Sequence, residues 1–353
     1  MEKDYTQRLQ KIEAELNRWL PESSIEAGKV FPGLKKDVSV SSFDALLAPL
    51  KDILSRGGKR WRPLLMTLIC ETLGGKDASV PLAPLIEFSH NASLIHDDIE
   101  DDSFERRGKP AVHKIYGTDT AINSGSFFYF LSLCCIDSYS GGNREVIYKI
   151  WAEYMRKLHL GQAMDISWHR DISYIPGVDE YYAMCGMKTG SLASLAAGLG
   201  VYAAASATKF PAPLATKFPA QQLSEAAEKL GIGFQILDDV KNLTTGNPGK
   251  KRGDDFVEGK KSLPVILFLQ KNPDRREQVF YCFHEAKTNG VTAPEVDEMI
   301  KIMAGSGVLT EAEEKARSFI KEARDVFRSL KFSGIPINEE SCNLLDDLIS
   351  SIS

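Results

Sequence analysis

The sequence has few of the features that would connect it to a membrane, a nucleic acid or an oxidising compartment. Its six cysteines form no CxxC pair and lie mostly among apolar residues, which argues against a disulfide framework or a zinc site. The net charge of −5 offers no general basis for binding nucleic acid. The opening residues MEKDYTQR are charged and lack the apolar core of a signal peptide. We therefore expect a cytoplasmic protein with reduced thiols.

Long, strongly apolar runs are also scarce. One uncharged stretch, residues 189–208, consists mainly of Ala, Gly and Ser, so it has few of the residues that drive membrane insertion. We predict a buried helix there, packed through small residues, and no membrane span. The alternation typical of strands is missing from the sequence, whereas apolar residues recur at helical spacing. This pattern predicts an all-α bundle that forms a single domain over residues 1–353.

The sequence does contain an apolar run that ends in five acidic residues within six positions. Asp97 and Asp101 lie four residues apart on one helix face, where like charges repel unless a cation lies between them. Mg²⁺ prefers carboxylate ligands, and substrate phosphates often complete its coordination. Arg106 and Arg107 can bind such phosphates through paired hydrogen bonds. The stretch predicts a metal-bridged diphosphate site, with Asp98 as a second-choice ligand; the alternative is a solvated helix end.

A second acidic pair favours the metal site. Residues 233–240 form another apolar helical run that ends in Asp238 and Asp239, with Asn242 at the fifth place of the motif. Two such helices facing each other across a pocket could hold several Mg²⁺ ions. Asp238 is the predicted ligand from the second helix, and Asp239 is a second choice.

These residues resemble a known family. Residues 97–101 and 106–108 are similar to the first DDxxD motif and the following arginine pair of the trans-isoprenyl diphosphate synthases, also called polyprenyl synthases. Asn242 stands in place of the last Asp of their second motif, a form that resembles the eukaryotic-type geranylgeranyl diphosphate synthases. Further motifs follow in family order over a core of about residues 57–264. They are GGKRWRP at 57–63, GQ at 161–162, KTG at 188–190, FQILDD at 234–239 and the segment 249–264.

The resemblance implies a bundle of about ten or more helices around a central cavity. It implies that isopentenyl diphosphate is condensed with an allylic diphosphate by ionisation, condensation and elimination, with roughly three Mg²⁺ ions as cofactor. At least a homodimer is implied as well. An amide binds Mg²⁺ more weakly than a carboxylate, so Asn242 would weaken binding of the third ion. The residues implied to contact the allylic diphosphate are Arg106, Lys188, Thr189, Gln235, Lys250 and Lys260; Lys188 joins the aspartates of both motifs in the implied catalytic set.

The second substrate, isopentenyl diphosphate, needs an anion site apart from the metal ions. Gly58 and Lys59, with Arg62 one turn later, place two cations on one helical face near a helix start, where backbone N–H groups can also bind phosphate. In isolation this pattern is more often a solvated basic turn. By resemblance, His90 and Arg107 complete the isopentenyl site.

Product length should depend on the residues below Asp97. Ala92 and Ser93, one turn before it, are small and would let a growing tail pass. By resemblance, Tyr129, Phe130 and His159 align with residues that close the tunnel in eukaryotic-type geranylgeranyl synthases. An aromatic stripe on a helix is, however, more often part of an ordinary hydrophobic core. The predicted product is therefore geranylgeranyl diphosphate, with twenty carbons.

Four rival interpretations are open, and the weakest is a purely structural helical protein, because nothing structural requires two Asp-Asp helix ends. A synthase of longer chains is the nearest, because Ala92 suits it too. A class I terpene cyclase would share the first acidic motif but would need no isopentenyl site. A non-catalytic regulatory subunit would typically have lost an acidic motif or its arginines, and this chain keeps them apart from Asn242. The tandem repeat at residues 207–220 breaks any helix with its prolines and predicts a surface loop.

Overall fold

The computed structural model describes residues 2–21, 30–31, 39–208, 219–246, 251–332 and 335–352. The structure is 82% helical with almost no strand, so the predicted all-α class is confirmed. A two-stranded antiparallel ribbon is formed by β1 (Glu105–Arg106) and β2 (Lys109–Pro110).

A π-helical turn, Gly186–Gly190, joins the helix Val178–Cys185 to the helix Ser191–Thr208. Short 3₁₀ turns cover Lys76–Leu82, Pro273–Arg275, Gly290–Thr292 and Leu330–Phe332. The helices are α1 (Glu2–Arg18), α2 (Val40–Ser55), α3 (Trp61–Thr72), α4 (Ala83–Glu100), α5 (Val112–Tyr116), α6 (Thr118–Asp137), α7 (Arg144–Arg170), α8 (Val178–Cys185), α9 (Ser191–Thr208), α10 (Pro219–Thr244), α11 (Asp254–Glu258), α12 (Leu263–Lys271), α13 (Arg276–Asn289), α14 (Pro294–Gly305), α15 (Val308–Ser329) and α16 (Glu339–Ser350).

The chain divides into two compact units. The first comprises Met1–Glu153, Ser194–Ser224 and Phe327–Leu348. The second comprises Tyr154–Ala193, Glu225–Val326 and Ile349–Ser353. The single domain expected from the sequence stays a prediction.

In the first unit, α4 packs along α6, and the ring centroids of Phe88 and Phe128 lie 4.6 Å apart between them. Pro84 stands in the first turn of α4, where its fixed φ suits the helix and its missing N–H costs nothing. The helix ends at Glu100, and the chain then turns through Asp102, whose φ is +52°. The first acidic motif therefore lies at the C-terminal end of a buried helix.

In the second unit, three helical segments approach closely around the π-helical turn. A Cβ atom on Gly161 of α7 would lie 2.4 Å from the backbone N of Lys188, and one on Gly231 of α10 would lie 2.4 Å from the Cα of Gly190. Any larger residue at either position would push the segments apart. The glycines therefore fix the backbone position of Lys188 and Thr189, and π-helical turns of this kind are frequent at functional sites.

One helical stretch, Val178–Thr208, is long and apolar enough to cross a membrane when judged by length and composition alone. In the structure, 72% of its most apolar window is buried. Small residues such as Ala193 and Ala196 are completely buried along it. This burial agrees with the predicted helix that packs through small residues.

Candidate active site

The first acidic motif has one buried aspartate and two partly exposed ones. Asp98 is fully buried, and its Oδ1 accepts a hydrogen bond of 2.8 Å from Arg106 Nε and a further one from Nη2 of the same guanidinium. Asp97 and Asp101 are partly exposed, and Asp97 Oδ2 lies 3.8 Å from Arg106 Nη2. Burial lowers the pKa of Arg106, but the charge of Asp98 outweighs it and raises the pKa above its usual range.

This arrangement suits a divalent cation bound with substrate. Asp97 and Asp101 lie at the C-terminal end of α4, where the helix dipole already disfavours negative charge. Within the described part of the chain, no group of three or more His, Cys, Asp or Glu side chains is placed to hold a metal ion. A Mg²⁺ ion at Asp97 and Asp101 would therefore take its remaining ligands from phosphate oxygens and water, as this ion commonly does.

The ribbon after the motif directs its two arginines to different places. Arg107 and Gly108 form the turn, with φ of +54° and +76°. Arg106 reaches Asp98, whereas Arg107 Nη1 donates a short hydrogen bond to the carbonyl O of Gly57 and lies 3.4 Å from Asn91 Oδ1. The adjacent arginines of the sequence motif therefore belong to two different clusters.

The loop at 57–60 and the first turn of α3 form a basic cluster with Arg107 and His90. A Cβ atom on Gly58 would lie 3.2 Å from Arg107 Nη2, so glycine allows the guanidinium to approach this loop. Arg62 is 8% exposed, and its buried Nε has no hydrogen-bond partner among the residues that the structure describes. Lys59 is exposed. The structure thus brings the predicted isopentenyl-site residues together within the first unit.

The cations of this basic cluster repel one another. The pKa of Arg62 is lowered to about 10: burial is the largest cause, Glu87 opposes it, and Arg107 adds to it. Burial, followed by Arg62 and Arg107, also holds the pKa of His90 well below its ordinary value. His90 is therefore neutral near pH 7, and a bound anion would relieve the repulsion between the arginines.

The second acidic motif has the same division into a buried and a partly exposed aspartate. Asp238 is partly exposed, whereas Asp239 is completely buried. Asp239 Oδ2 accepts hydrogen bonds of 2.6 Å from the Tyr181 hydroxyl and 3.2 Å from the N–H of Leu263. Its Oδ1 accepts one of 3.0 Å from Gln235 Nε2 and lies 3.3 Å from Lys260 Nζ. With this many donors, Asp239 acts in the structure as an anchor for surrounding side chains.

Lys188 and Thr189, on the π-helical turn, are both held by polar partners within the second unit. Thr189 Oγ1 donates to Gln235 Oε1 at 2.9 Å. Lys188 Nζ lies 2.5 Å from Oδ2 of the buried Asp165, whose Oδ1 is 3.0 Å from His169 Nε2. Despite the opposing effect of burial, Lys188 and His169 hold the pKa of Asp165 well below its usual range.

Lys260 lies among several carboxylates. Burial lowers its pKa, but Asp255, Asp239 and Asp165 raise it well above its ordinary value. Lys260 therefore stays protonated at physiological pH and carries a positive charge beside the second motif. Lys188, Thr189, Gln235 and Lys260 are thus gathered around Asp239 and Asp165.

Some residues of the sequence predictions lie outside the part of the chain that the structure describes. Lys250 lies outside the described residues, as do residues 209–218 of the tandem repeat. Asn242 is described and is 1% exposed. Its Oδ1 accepts a hydrogen bond of 3.3 Å from the N–H of Asp255, in the first turn of α11. The amide therefore caps a short helix in this structure.

The predicted chain-length residues have different environments. Ala92 is buried, and Ser93 is partly exposed and donates to the carbonyl O of His90 at 2.8 Å. Tyr129 is buried, with its ring centroid 5.8 Å from that of His96, but Phe130 is 66% exposed. Neighbouring residues of a helix point about 100° apart, so of these two aromatics Tyr129 is the one that faces the core of the first unit.

His159 is exposed and belongs to the second unit, whereas Tyr129 and Phe130 belong to the first. The roles of these residues in product length stay predictions. Four polar residues that contact predicted site residues were missed in the sequence: Arg60, Glu87, Tyr181 and Asp165. Asp165 had a usable signal, because it lies one helical turn after Gly161 of the GQ motif.

Comparison with known proteins places the chain in a family. The family model for polyprenyl synthetase matches residues 43–303. The geranylfarnesyl diphosphate synthase of Aeropyrum pernix is 33% identical over 88% of this chain and 94% of its own length. A geranylgeranyl pyrophosphate synthase of Neocamarosporium betae is 31% identical over 88% of this chain and 87% of its own.

The fold comparison agrees. The crystal structure of geranylgeranyl pyrophosphate synthetase from Pyrococcus horikoshii is 26% identical in sequence and superposes with a TM-score of 0.78, covering 97% of this chain and 95% of that one. The family model alone spans most of the chain. The chain therefore belongs to the polyprenyl synthetase family and is a trans-prenyltransferase.

Proposed function

We propose that this protein condenses isopentenyl diphosphate with an allylic diphosphate and releases geranylgeranyl diphosphate. The observation that carries this proposal is the presence, within one unit, of two separate anion-binding features. The partly exposed carboxylates Asp97 and Asp101 suit a metal-bound diphosphate, and the cluster of Lys59, Arg62 and Arg107 suits a diphosphate without metal. A cyclase that uses one diphosphate substrate has no need of the second feature.

The reaction begins when the C–O bond of the allylic diphosphate breaks. Asp97, Asp101 and Asp238 are the residues that would hold Mg²⁺, which when bound stabilises negative charge on the leaving diphosphate. Lys188 and Lys260 supply cations that buried carboxylates already orient, so little reorganisation is needed as charge develops. The double bond of isopentenyl diphosphate then forms the new C–C bond, and the proton lost in the elimination passes to the released pyrophosphate.

The small Ala92 would let a tail pass and so suits twenty carbons or more, and the buried Tyr129 on α6 supports a stop at twenty. A twenty-five-carbon product is the second candidate, because the geranylfarnesyl diphosphate synthase relative is as similar to this chain as the geranylgeranyl one. Product analysis separates them. Purified protein is incubated with Mg²⁺, labelled isopentenyl diphosphate and ten-carbon or fifteen-carbon starters, and the dephosphorylated products are sized by chromatography.

One twenty-carbon product that disappears with a chelator is the expected result. A longer ladder would keep the synthase and reject the proposed length. Failure to condense any starter would favour a regulatory subunit.

We also propose that the protein is a cytoplasmic homodimer. Helix α6 exposes Ile122 and Phe130, which are 46% and 66% accessible, and such apolar side chains favour burial against a second copy. The six cysteines are unpaired, which suits a reducing compartment. Sedimentation analysis should give the mass of a dimer, and Phe130→Glu should shift it toward the monomer. Fractionation of cells that express the protein tests the location.

A further inference from the structure

A network of hydrogen-bonded polar side chains adjoins the basic cluster of Lys59, Arg62, His90 and Arg107. Arg60 has a left-handed backbone, with φ of +47°, and is 4% exposed. Its guanidinium donates to Glu13 at 2.7 Å, to Glu87 at 2.8 Å and to the carbonyl oxygens of Leu54 at 2.8 Å and Gly57 at 3.2 Å. A guanidinium is the side chain that can serve this many acceptors at once.

The network continues through α4 and returns to the same loop. Glu87 Oε1 also accepts a hydrogen bond of 2.9 Å from Asn91 Nδ2. Asn91 Oδ1 faces Arg107 Nη1 at 3.4 Å, and that same Nη1 donates to the carbonyl O of Gly57. Arg60 and Arg107 therefore hold one carbonyl from two sides, and Glu87 and Asn91 connect the two arginines.

Glu87 is the countercharge of this cluster. It is 2% exposed. Burial lowers the pKa of Arg62 and of Arg107, and the charge of Glu87 opposes that lowering. At Arg60 burial acts in the same direction, but Glu87 and Glu13 outweigh it and the pKa is raised. Arg62 and Arg107 would otherwise repel each other in a partly buried setting. Glu87 Oε1 accepts hydrogen bonds from both Arg60 and Asn91, so Glu87 can hold Arg60 and Arg107 in place while Lys59 and Arg62 bind an anion.

We infer that Arg60 and Glu87, connected through Asn91 to Arg107, are positioning residues for the isopentenyl diphosphate site: they fix the loop at Gly57 and, through it and Asn91, the Arg107 guanidinium that binds this substrate. This inference rests on the proposed function. It identifies residues that position the isopentenyl site without being among the residues predicted to contact the substrate. Because the metal-binding carboxylates are not part of the network, its loss should affect one substrate and spare the other.

The test compares Arg60→Met with Arg8→Met. Arg8 is a matched control, because its guanidinium also connects α1 to another helix of the same unit, through Glu71 at 2.7 Å. For Arg60→Met we expect the KM for isopentenyl diphosphate to rise about tenfold or more. The KM for the allylic substrate and the kcat at saturation should stay within about threefold of the wild type. Arg60→Lys should restore part of the affinity, whereas Arg8→Met should lower the melting temperature without changing either KM.

Calorimetric titration with isopentenyl diphosphate alone measures the same effect without turnover. If Arg60→Met does not fold, Asn91→Ala breaks the connection to Arg107 without changing any charge and should raise the dissociation constant about threefold or more. Equal effects on both substrates, or unchanged isopentenyl affinity in folded variants, would overturn the inference. Wild-type protein that binds isopentenyl diphosphate but condenses nothing would reject the proposed function and leave the binding test decisive; wild-type protein that does not bind it would reject both.

Discussion

The two acidic motifs use the same dipeptide in the same way but support it differently. In each, the first aspartate is partly exposed and the second is completely buried. Asp98 is bonded by Arg106 from the ribbon that follows its helix. Asp239 is bonded by Gln235, one turn earlier on its own helix, and by Tyr181 and Lys260 from other segments of the second unit. An Asp-Asp pair thus divides into a residue available to a ligand and a residue that anchors the site.

The largest effect is expected from replacing Asp97, the predicted metal ligand in the Asp-Asp pair of the first motif. Asp97→Asn keeps the shape of the side chain but weakens a Mg²⁺ ligand, and we expect kcat to fall about a hundredfold or more. Asp102→Asn is the control from the same acidic run, because that exposed carboxylate pairs with Lys114 at 2.6 Å. Its kcat should stay near that of the wild type. Steady-state assays at fixed Mg²⁺ measure both, and equal losses would show that Asp97 has no special place.

The next largest effect is expected from replacing Asp239, the buried aspartate of the second motif. Asp239→Ala leaves the charge of Lys260 without its closest partner, and we expect the free energy of unfolding to fall by about 3–5 kcal/mol. Asp238→Ala should change it by about 0.5 kcal/mol or less, because Asp238 is partly exposed. Urea unfolding followed by circular dichroism measures both. If Asp238→Ala were the more destabilising, the assignment of the two roles would be reversed.

Removal of the Tyr181 hydroxyl tests the anchoring role of Asp239 more narrowly. Tyr181→Phe removes the 2.6 Å hydrogen bond to Asp239 and leaves a buried acceptor one donor short, which should cost about 1–3 kcal/mol. Tyr174→Phe removes a hydroxyl that bonds Glu180 at the surface and should cost about 0.5 kcal/mol or less. Thermal unfolding of the two variants provides the measurement, and similar melting temperatures would contradict the anchoring role.

The smallest expected effect is the dependence of folding stability on acidic pH through Asp165. Lys188 and His169 depress the pKa of Asp165 below its ordinary 3.8, so its ionised form stabilises the folded state fully above that pH. The contribution is lost as the pH falls below 3.8 toward the lower folded-state pKa. The stability difference between the wild type and Asp165→Asn should therefore shrink on acidification, by up to about 1.4 kcal/mol per pH unit. A difference that does not change below pH 3.8 would exclude this linkage.

The order of motifs and the helical spacing of apolar residues were enough to predict the all-α class and the family. Those features are local, because a helix period or an acidic helix end can be read within a few turns. Asp97, Asp101 and Asp238 are partly exposed, and their role as metal ligands stays a prediction. The first acidic motif lies at the C-terminal end of α4, where the helix dipole adds to the need for a cation.

Only the tertiary structure decided which side chains support these sites. Arg60 meets Glu87 and Tyr181 meets Asp239 across long stretches of chain, and nothing in their local sequence distinguishes them from ordinary surface charges or core aromatics. Phe130 is exposed and Tyr129 buried because the packing of α6 selects one face of the helix. The sequence alone determined the chemistry that this protein carries; which residues hold that chemistry in place depended on helix packing, because burial and hydrogen-bond partners are properties of the folded chain.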